Sequence, residues 1–331
     1  MFCMVWYAAT SSCMIVYTVD HTARGKNSSR KVFTMRIATC KVLFAVAMLT
    51  PSMIVAQAPA TLRVGLVTRA NSPGASAIQR GVRLGAEEAK QTAKLFGGDV
   101  LLFEIASGGD AARAARQLLS QRKVQVLIAS AREDVDALSQ LAESHRIISV
   151  NVASRSPALR AACRRFTFHV EADDSLYAIA SRRAPTSGAH ATAVLWAPVL
   201  EKYGASQIND RFRARYRLGM DGGAWAGWVA MKIVAEAALR ARSGWAEAIH
   251  AYLVARTTTF DGHKGWPLSF RSADQQLRQP LYIVSAPAGS GRSAVREIPD
   301  LAEMRTSSTG ANEILDAVSR PAHVCQHENV R

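Results

Sequence analysis

LRVGLV (residues 62–67), VLLFEI (100–105), VQVLIA (124–129) and IISV (147–150) are four short, mostly apolar runs separated by amphipathic stretches. Runs of this length without polar alternation fit parallel strands covered on both faces. Between the first two, Ser76 followed by Gln79 fits a capping box. Ile78, Val82, Ala86, Ala89 and Ala93 then recur three and four apart, and Gly97-Gly98 supplies the stop. A second helix is expected from Asp110 as N-cap, with Ala112, Ala115 and Leu119 on one face. A third covers roughly 132–145, with Val135, Leu138, Leu141 and Ala142 inward. A fifth apolar run, Phe166–Val170, closes this half. Strand–helix alternation of this kind winds into a single parallel sheet with helices on both faces.

Upstream, residues 35–58 read MRIATCKVLFAVAMLTPSMIVAQA. Arg36 and Lys41 form a positive head, Val42 to Val55 an apolar middle containing Pro51, and Ala56-Gln57-Ala58 an A-x-A cleavage site. This predicts a cleaved export signal starting at Met35, with residues 1–34 as an upstream extension and the periplasm as destination. The 331 residues carry 41 Lys and Arg against 26 Asp and Glu, a formal charge of +15. The basic residues are dispersed and lack aromatic interleaving, so a solvated basic surface is favoured over nucleic-acid binding. Cys3, Cys13 and Cys40 leave with the leader, and Cys163 and Cys325 remain. In an oxidising compartment these two form one bridge or persist as two separate thiols.

After residue 170 the pattern changes. Residues 181–190 read as a linker, and helices are expected at roughly 194–203, 205–217, 222–242 and 244–255. From Ala224 to Arg240 the charges are Lys232, Glu236 and Arg240, four apart on one stripe, so most of that helix is buried. Trp225 and Trp228 lie on the buried side, where core packing is the expected role and a ligand platform the alternative. Gly265–Phe270 and Pro280–Val284 flank a polar turn with Asp274, Gln275 and Gln276, predicting a hairpin. The tail from about 286 reads as irregular, with one short helix at 311–319. This gives four parts: 1–58 as extension and signal, 59–170 as an α/β lobe, 171–285 as a reduced, mainly helical lobe with a late hairpin, and 286–331 as tail.

RVGLVTRANSPGASAIQRGVRLGAEEA (63–89), VQVLIASAREDVDALSQLAE (124–143) and FDGHKGWPLSFRSADQQLRQPLYIV (260–284) together resemble the type I periplasmic solute-binding proteins, the leucine/isoleucine/valine-binding kind that serve ABC importers. YGASQINDRF (203–212), WAGW (225–228) and SFRSADQQLRQP (269–280) bring the chain closer to the subset linked to pyrroloquinoline-quinone-dependent alcohol dehydrogenase systems. The resemblance implies a small-molecule solute, membrane importer subunits as partners, a link to a periplasmic quinoprotein dehydrogenase system, no cofactor of its own and no catalysis. A full member carries a second parallel-sheet lobe between about residue 175 and YGASQ. Here only about 25 residues stand there, so a block of more than a hundred residues is read as absent.

Ligands of open α/β sheets sit at the carboxyl ends of the strands, which selects the loops Thr68 to Ser76, Ala129 to Ala131 and Asn151 to Ser156. The resemblance assigns Ser130 with Ala131, and Ala153 with Ser154, to holding an amino-acid carboxylate; Ser76 lies in the first loop. Capping of the following helix is the equal alternative for Ser130, and Arg155 is either a charge for an acidic ligand or an exposed loop arginine. Asp173-Asp174 read as loop or cap carboxylates. His145, His169 and His190 lack metal-ligand spacing, as do Cys325 and His327 in the tail. No nucleophile elbow or phosphate loop occurs. The alternative to a transport receptor is an accessory protein that kept the fold and lost its cleft.

Overall fold

Eight residues form β1 (Thr61–Thr68), the second strand of a five-stranded parallel sheet of order β2-β1-β3-β4-β5. The structure, a computed structural model, describes residues 61–182, 190–286, 294–297, 315–316 and 324–325. The proposed leader, residues 183–189 of the linker and most of the tail lie outside the described residues. β1 pairs with β2 (Asp99–Ala106) in a register running from Thr61 opposite Asp99 to Thr68 opposite Ala106. Its other edge pairs with β3 (Val126–Ala129), which is followed outward by β4 (Ile148–Asn151) and β5 (Thr167–His169).

The two-residue period of β1 and β3 sorts their side chains into two cores. Leu62, Val64, Leu66, Val126 and Ile128 pack beneath α1 (Ala75–Leu95). Val67, Leu127 and Ala129 pack on the other face beneath α2 (Ala111–Gln117) and α3 (Val135–His145). Asp110 caps α2 as expected, its carboxylate accepting from Arg113 N–H at 2.8 Å. Of the expected inward face of α2, Ala115 is buried as read while Ala112 and Leu119 are only half-buried. Ala111, Ala114 and Leu118 complete the buried face, and the helix ends in a wide turn at Leu118–Arg122. In α3 all four predicted inward residues are buried. α1 begins at Ala75 behind Gly74, whose φ of 78° turns the chain into the helix, and no side chain caps it. Ser76 therefore stands exposed inside the first turn, and Gln79 donates instead to Glu104 at 2.7 Å. At the other end Gly98 N–H reaches back to Ala93 carbonyl at 2.8 Å, and Gly97 takes φ 74°, as the double-glycine stop requires.

The second lobe is reduced. α5 (Asp174–Arg182) follows β5, and Asp173 caps it at 2.8 Å through Leu176 N–H. No α-helix covers 194–203, where only a 3₁₀ turn at Lys202–Gly204 is helical. Residues 190–194 form β6 (His190–Val194), antiparallel to β10 (Tyr282–Ala286), which also pairs with β11 (Ala294–Glu297). Beyond β6, Pro198 removes a donor, and Asn209 takes Trp196 indole N–H at 2.9 Å while donating to Leu200 carbonyl at 2.9 Å. These side-chain bonds hold the segment open. α6 (Ala205–Tyr216), α7 (Gly222–Ala241), α4 (Pro157–Ala161) and α8 (Ala246–Leu253) complete the helices.

α6 to α8 raise no second wall. They share one apolar core with the sheet. α7 lies parallel to α1, so close that a Cβ on Gly81 would stand 1.9 Å from Ala224 O and one on Gly227 2.5 Å from Ile78 O. Trp225 and Trp228 are buried in this layer. The late hairpin is tighter than expected: β8 (Pro267–Phe270) pairs with β7 (Phe260–Asp261) and with β9 (Leu277–Arg278), not with residues 280–284. Arg271 N–H to Gln276 carbonyl at 3.0 Å closes the turn early, which frees 282–286 to join β6. Cys163 and Cys325 are joined in a disulfide, Cα to Cα 5.4 Å, across 162 positions. No described helix is long and apolar enough to cross a membrane.

Candidate ligand crevice

In a sheet of order β2-β1-β3 the connections leave β1 and β3 toward opposite faces, which puts the topological switch point, where such folds form their ligand crevice, between their carboxyl ends. The loop after β1 contributes Arg69 to Gly74, the loop after β3 Ser130 to Asp134, and the loop after β4 Val152 to Ser156. These bring Ser130, Ala131, Ala153 and Ser154 to one end of the sheet; Ser76 stands exposed at the start of α1.

Ser130 neither caps the next helical turn nor opens freely to solvent. It is 1 % exposed, and its Oγ accepts Arg69 N–H at 3.3 Å, stitching the β3 loop to the β1 loop. Beside it, Arg69 Nε lies 3.1 Å from each oxygen of the buried Asp134 carboxylate. That hydrogen-bonded pairing raises the Arg69 pKa against the opposing effect of burial. Glu133, at the rim, is held below the usual carboxylate range by its own backbone N–H, with smaller help from Ser72, whose hydroxyl donates at 3.0 Å, and from Arg132 and Arg69.

The β4 loop is clasped by Asn151. Its Oδ1 accepts the N–H of Ala153 at 3.2 Å and of Ser154 at 2.8 Å, and its Nδ2 donates to Ser154 carbonyl at 2.8 Å. The two N–H groups assigned by resemblance to a carboxylate are therefore already satisfied from within. Asn151 Nδ2 also lies 3.1 Å from Nδ1 of His169, a fully buried ring whose pKa is driven well below its ordinary value by desolvation, then by Arg160 and Arg164. A neutral His169 can accept from Asn151, which adds a further bond to the clasp.

Behind the clasp lies a buried polar network that the sequence did not single out. Arg160 donates to the carbonyls of Ser154 and Ser156 at 3.0 Å each, to Glu171 carbonyl at 2.5 Å and to Gln276 Oε1 at 2.9 Å. Burial pushes its pKa down to about 10, and its partners are neutral oxygens. Glu171 accepts Tyr177 hydroxyl at 2.8 Å, and burial raises its pKa against that bond. Arg155 lies over the Tyr177 ring at 3.6 Å and 3.8 Å from Glu171, with about half its side chain exposed. It is the one cation of this network that a solute could reach while it keeps an internal partner.

The arrangement gives hydroxyls, a half-exposed arginine and a locked loop beside a crevice, which suits holding a small polar or anionic group. Among the described residues no cluster of three or more His, Cys, Asp or Glu could hold a metal ion. Arg69, Asp134 and Arg160 take their roles from partners 65 to 116 positions away, and Asn151, Glu171 and Tyr177 from loop geometry that brings near neighbours together. Asn151, a polar residue ending the apolar run IISV, was the one local signal.

Residues 86–203 match the family described as periplasmic binding proteins and the sugar-binding domain of the LacI family. No curated protein sequence matches the chain. Among solved structures it is similar to the leucine-binding protein LivK of Thermotoga maritima, with TM-score 0.58 at 13% identity over 72% of this chain and 99% of that one. A branched-chain amino acid ABC transporter ligand-binding protein of Burkholderia xenovorans gives 0.61 at 10% identity, covering 77% and 96%. A solute-binding protein of Rhodopseudomonas palustris in complex with 4-hydroxybenzoate gives 0.60 at 10% identity, covering 72% and 96%. The chain has the type I periplasmic-binding-protein fold, with its second lobe reduced.

Proposed function

We propose that this chain is an extracytoplasmic solute-binding protein that presents a small carboxylate, an amino acid or an aromatic acid, to an ABC-type importer and does no chemistry on it. The observation that carries the reading is the switch-point crevice: Ser130 and the Asn151-clasped loop holding Ala153 and Ser154 converge at the carboxyl ends of β3 and β4, beside the half-exposed Arg155. Loops already held by internal hydrogen bonds lower the ordering cost of capture. A leader cleaved near Ala58 and a link to quinone-dependent alcohol oxidation are part of the same proposal and rest on the sequence resemblance. So does loss of the block that builds the second lobe in full members.

The test is thermal unfolding of the exported chain with leucine, isoleucine, 4-hydroxybenzoate, short carboxylates and alcohols. A solute at a hundredfold its Kd adds about 2.7 kcal/mol, which is a rise of roughly 5–10 °C for a chain of this size. The double variant Ser130→Ala/Ser154→Ala should remove the shift, and a shift that survives it places the site elsewhere.

A second reading has its own support. The N–H groups of Ala153 and Ser154 and the Ser130 hydroxyl already have partners within the chain, and α6 to α8 pack on the sheet instead of facing it across a cleft. Capture in two-lobed receptors depends on closure. An accessory protein with a self-satisfied crevice would show no shift that Ser130→Ala/Ser154→Ala removes.

A further inference from the structure

A cavity lies along the C-terminal half of α1, away from the carboxyl ends of β1, β3 and β4. Its volume is about 1020 Å³, at the upper end of small-molecule sites. α1 starts at the crevice and runs down the sheet, so Ala89, Thr92 and Phe96 in the cavity wall stand toward the opposite end, where Gly97-Gly98 lead into β2. The floor is Gly85, Ala89 and Ala235, small because α1 and α7 touch there; a Cβ on Gly85 would stand 2.6 Å from Trp228 O. Phe96 and Leu239 add apolar walls.

The lining is unbalanced in charge. Arg211, Lys232, Arg240 and Arg242 face it against Glu88 and Glu236. Glu88 is already engaged, accepting Trp228 indole N–H at 2.8 Å and pairing with Arg211 at 2.9 Å. Lys232 donates to Asp261 carbonyl at 2.6 Å. α1 and α7 run parallel, so both C-termini fall at this end, each worth about −0.5 charge. Two surplus cations outweigh that total, and Arg240 and Arg242 form no ion pair with any described residue. An apolar trough edged by surplus guanidinium groups is complementary to an anion with a hydrocarbon body.

We infer that the α1–α7 trough is a second binding site, for a small organic carboxylate with an aromatic or medium-chain aliphatic body. This does not depend on the crevice being functional. The test is calorimetric titration of the full chain with benzoate and octanoate, with octanol and octylamine as neutral and cationic controls. Saturable binding of one of the carboxylates, over both controls, is expected. It should weaken at least tenfold in Arg240→Glu/Arg242→Glu and in Thr92→Trp, which fills the trough from an exposed position, and should stay unchanged in Ser130→Ala/Ser154→Ala. No saturable carboxylate binding, equal binding of the controls, or loss only in the serine variant each overturns the assignment.

Discussion

Gly81→Ala isolates the contact on which the α/β layer is built. The added methyl would lie 1.9 Å from Ala224 O, 2.7 Å from Ala224 C and 2.9 Å from Ala224 Cα. All three atoms are backbone, inside the first turn of α7, so no rotamer change relieves them. Ordinary contact begins near 3.4 Å, and the two helices must separate by about an ångström or more, which forfeits dispersion along their shared face. Overpacking of this kind costs typically about 1–3 kcal/mol, occasionally more, and a backbone obstacle puts Gly81 at the upper end. Against it, alanine in a helix interior gains about 1 kcal/mol over glycine. The balance is a loss of about 2 kcal/mol, or roughly 4–8 °C in Tm at this chain length. Gly223→Ala is the internal control, because its methyl meets the movable Ile78 Cγ1 at 3.2 Å and no backbone atom closer than 3.8 Å. Urea denaturation of both variants beside wild type measures the difference. Gly81→Ala as stable as wild type, or no worse than Gly223→Ala, would refute the close approach of α1 and α7.

Reduction of Cys163–Cys325, or Cys163→Ser/Cys325→Ser, frees a crosslink spanning 162 positions and should cost about 2–5 kcal/mol, read as a lower urea midpoint under dithiothreitol. His169 is held neutral in the fold while the unfolded ring protonates near its ordinary value. The unfolded chain thus binds the extra proton, and stability falls as pH drops below about 6.5, by up to about 1.4 kcal/mol per unit. Comparing His169→Gln with wild type from pH 7 to 5 should flatten that component, and parallel curves would dismiss it. Glu171, raised by burial, has the opposite sign: its contribution is lost as pH rises through its elevated pKa. Glu171→Gln should therefore gain stability relative to wild type at pH 8 more than at pH 4.5. Asn151→Ala leaves one buried and one half-buried N–H group unpaired and should cost about 1–3 kcal/mol, with faster amide exchange at Ala153 and Ser154 as its local mark.

The parallel layer was legible because covered strands and amphipathic helices write their burial into residue spacing. Leu62, Val64 and Leu66 on one face, Val67 on the other, and Val135, Leu138, Leu141 and Ala142 on α3 follow from periodicity alone. Asp110 and Gly97-Gly98 were equally local, since a cap or a stop is settled within one turn. Three features needed the tertiary structure. HATAVLWAPV reads as well for a helix as for a strand, and pairing with β10 decided it. The partner of β8 turned on where the Arg271–Gln276 turn closes. The crevice took its character from Asn151, Arg69 and Arg160, whose partners lie tens of residues away or are backbone atoms with no sequence identity. Sequence determined which faces avoid water, because hydrophobic burial sums over a repeating pattern. Structure alone decided which polar groups met, because a hydrogen bond depends on one atom's position.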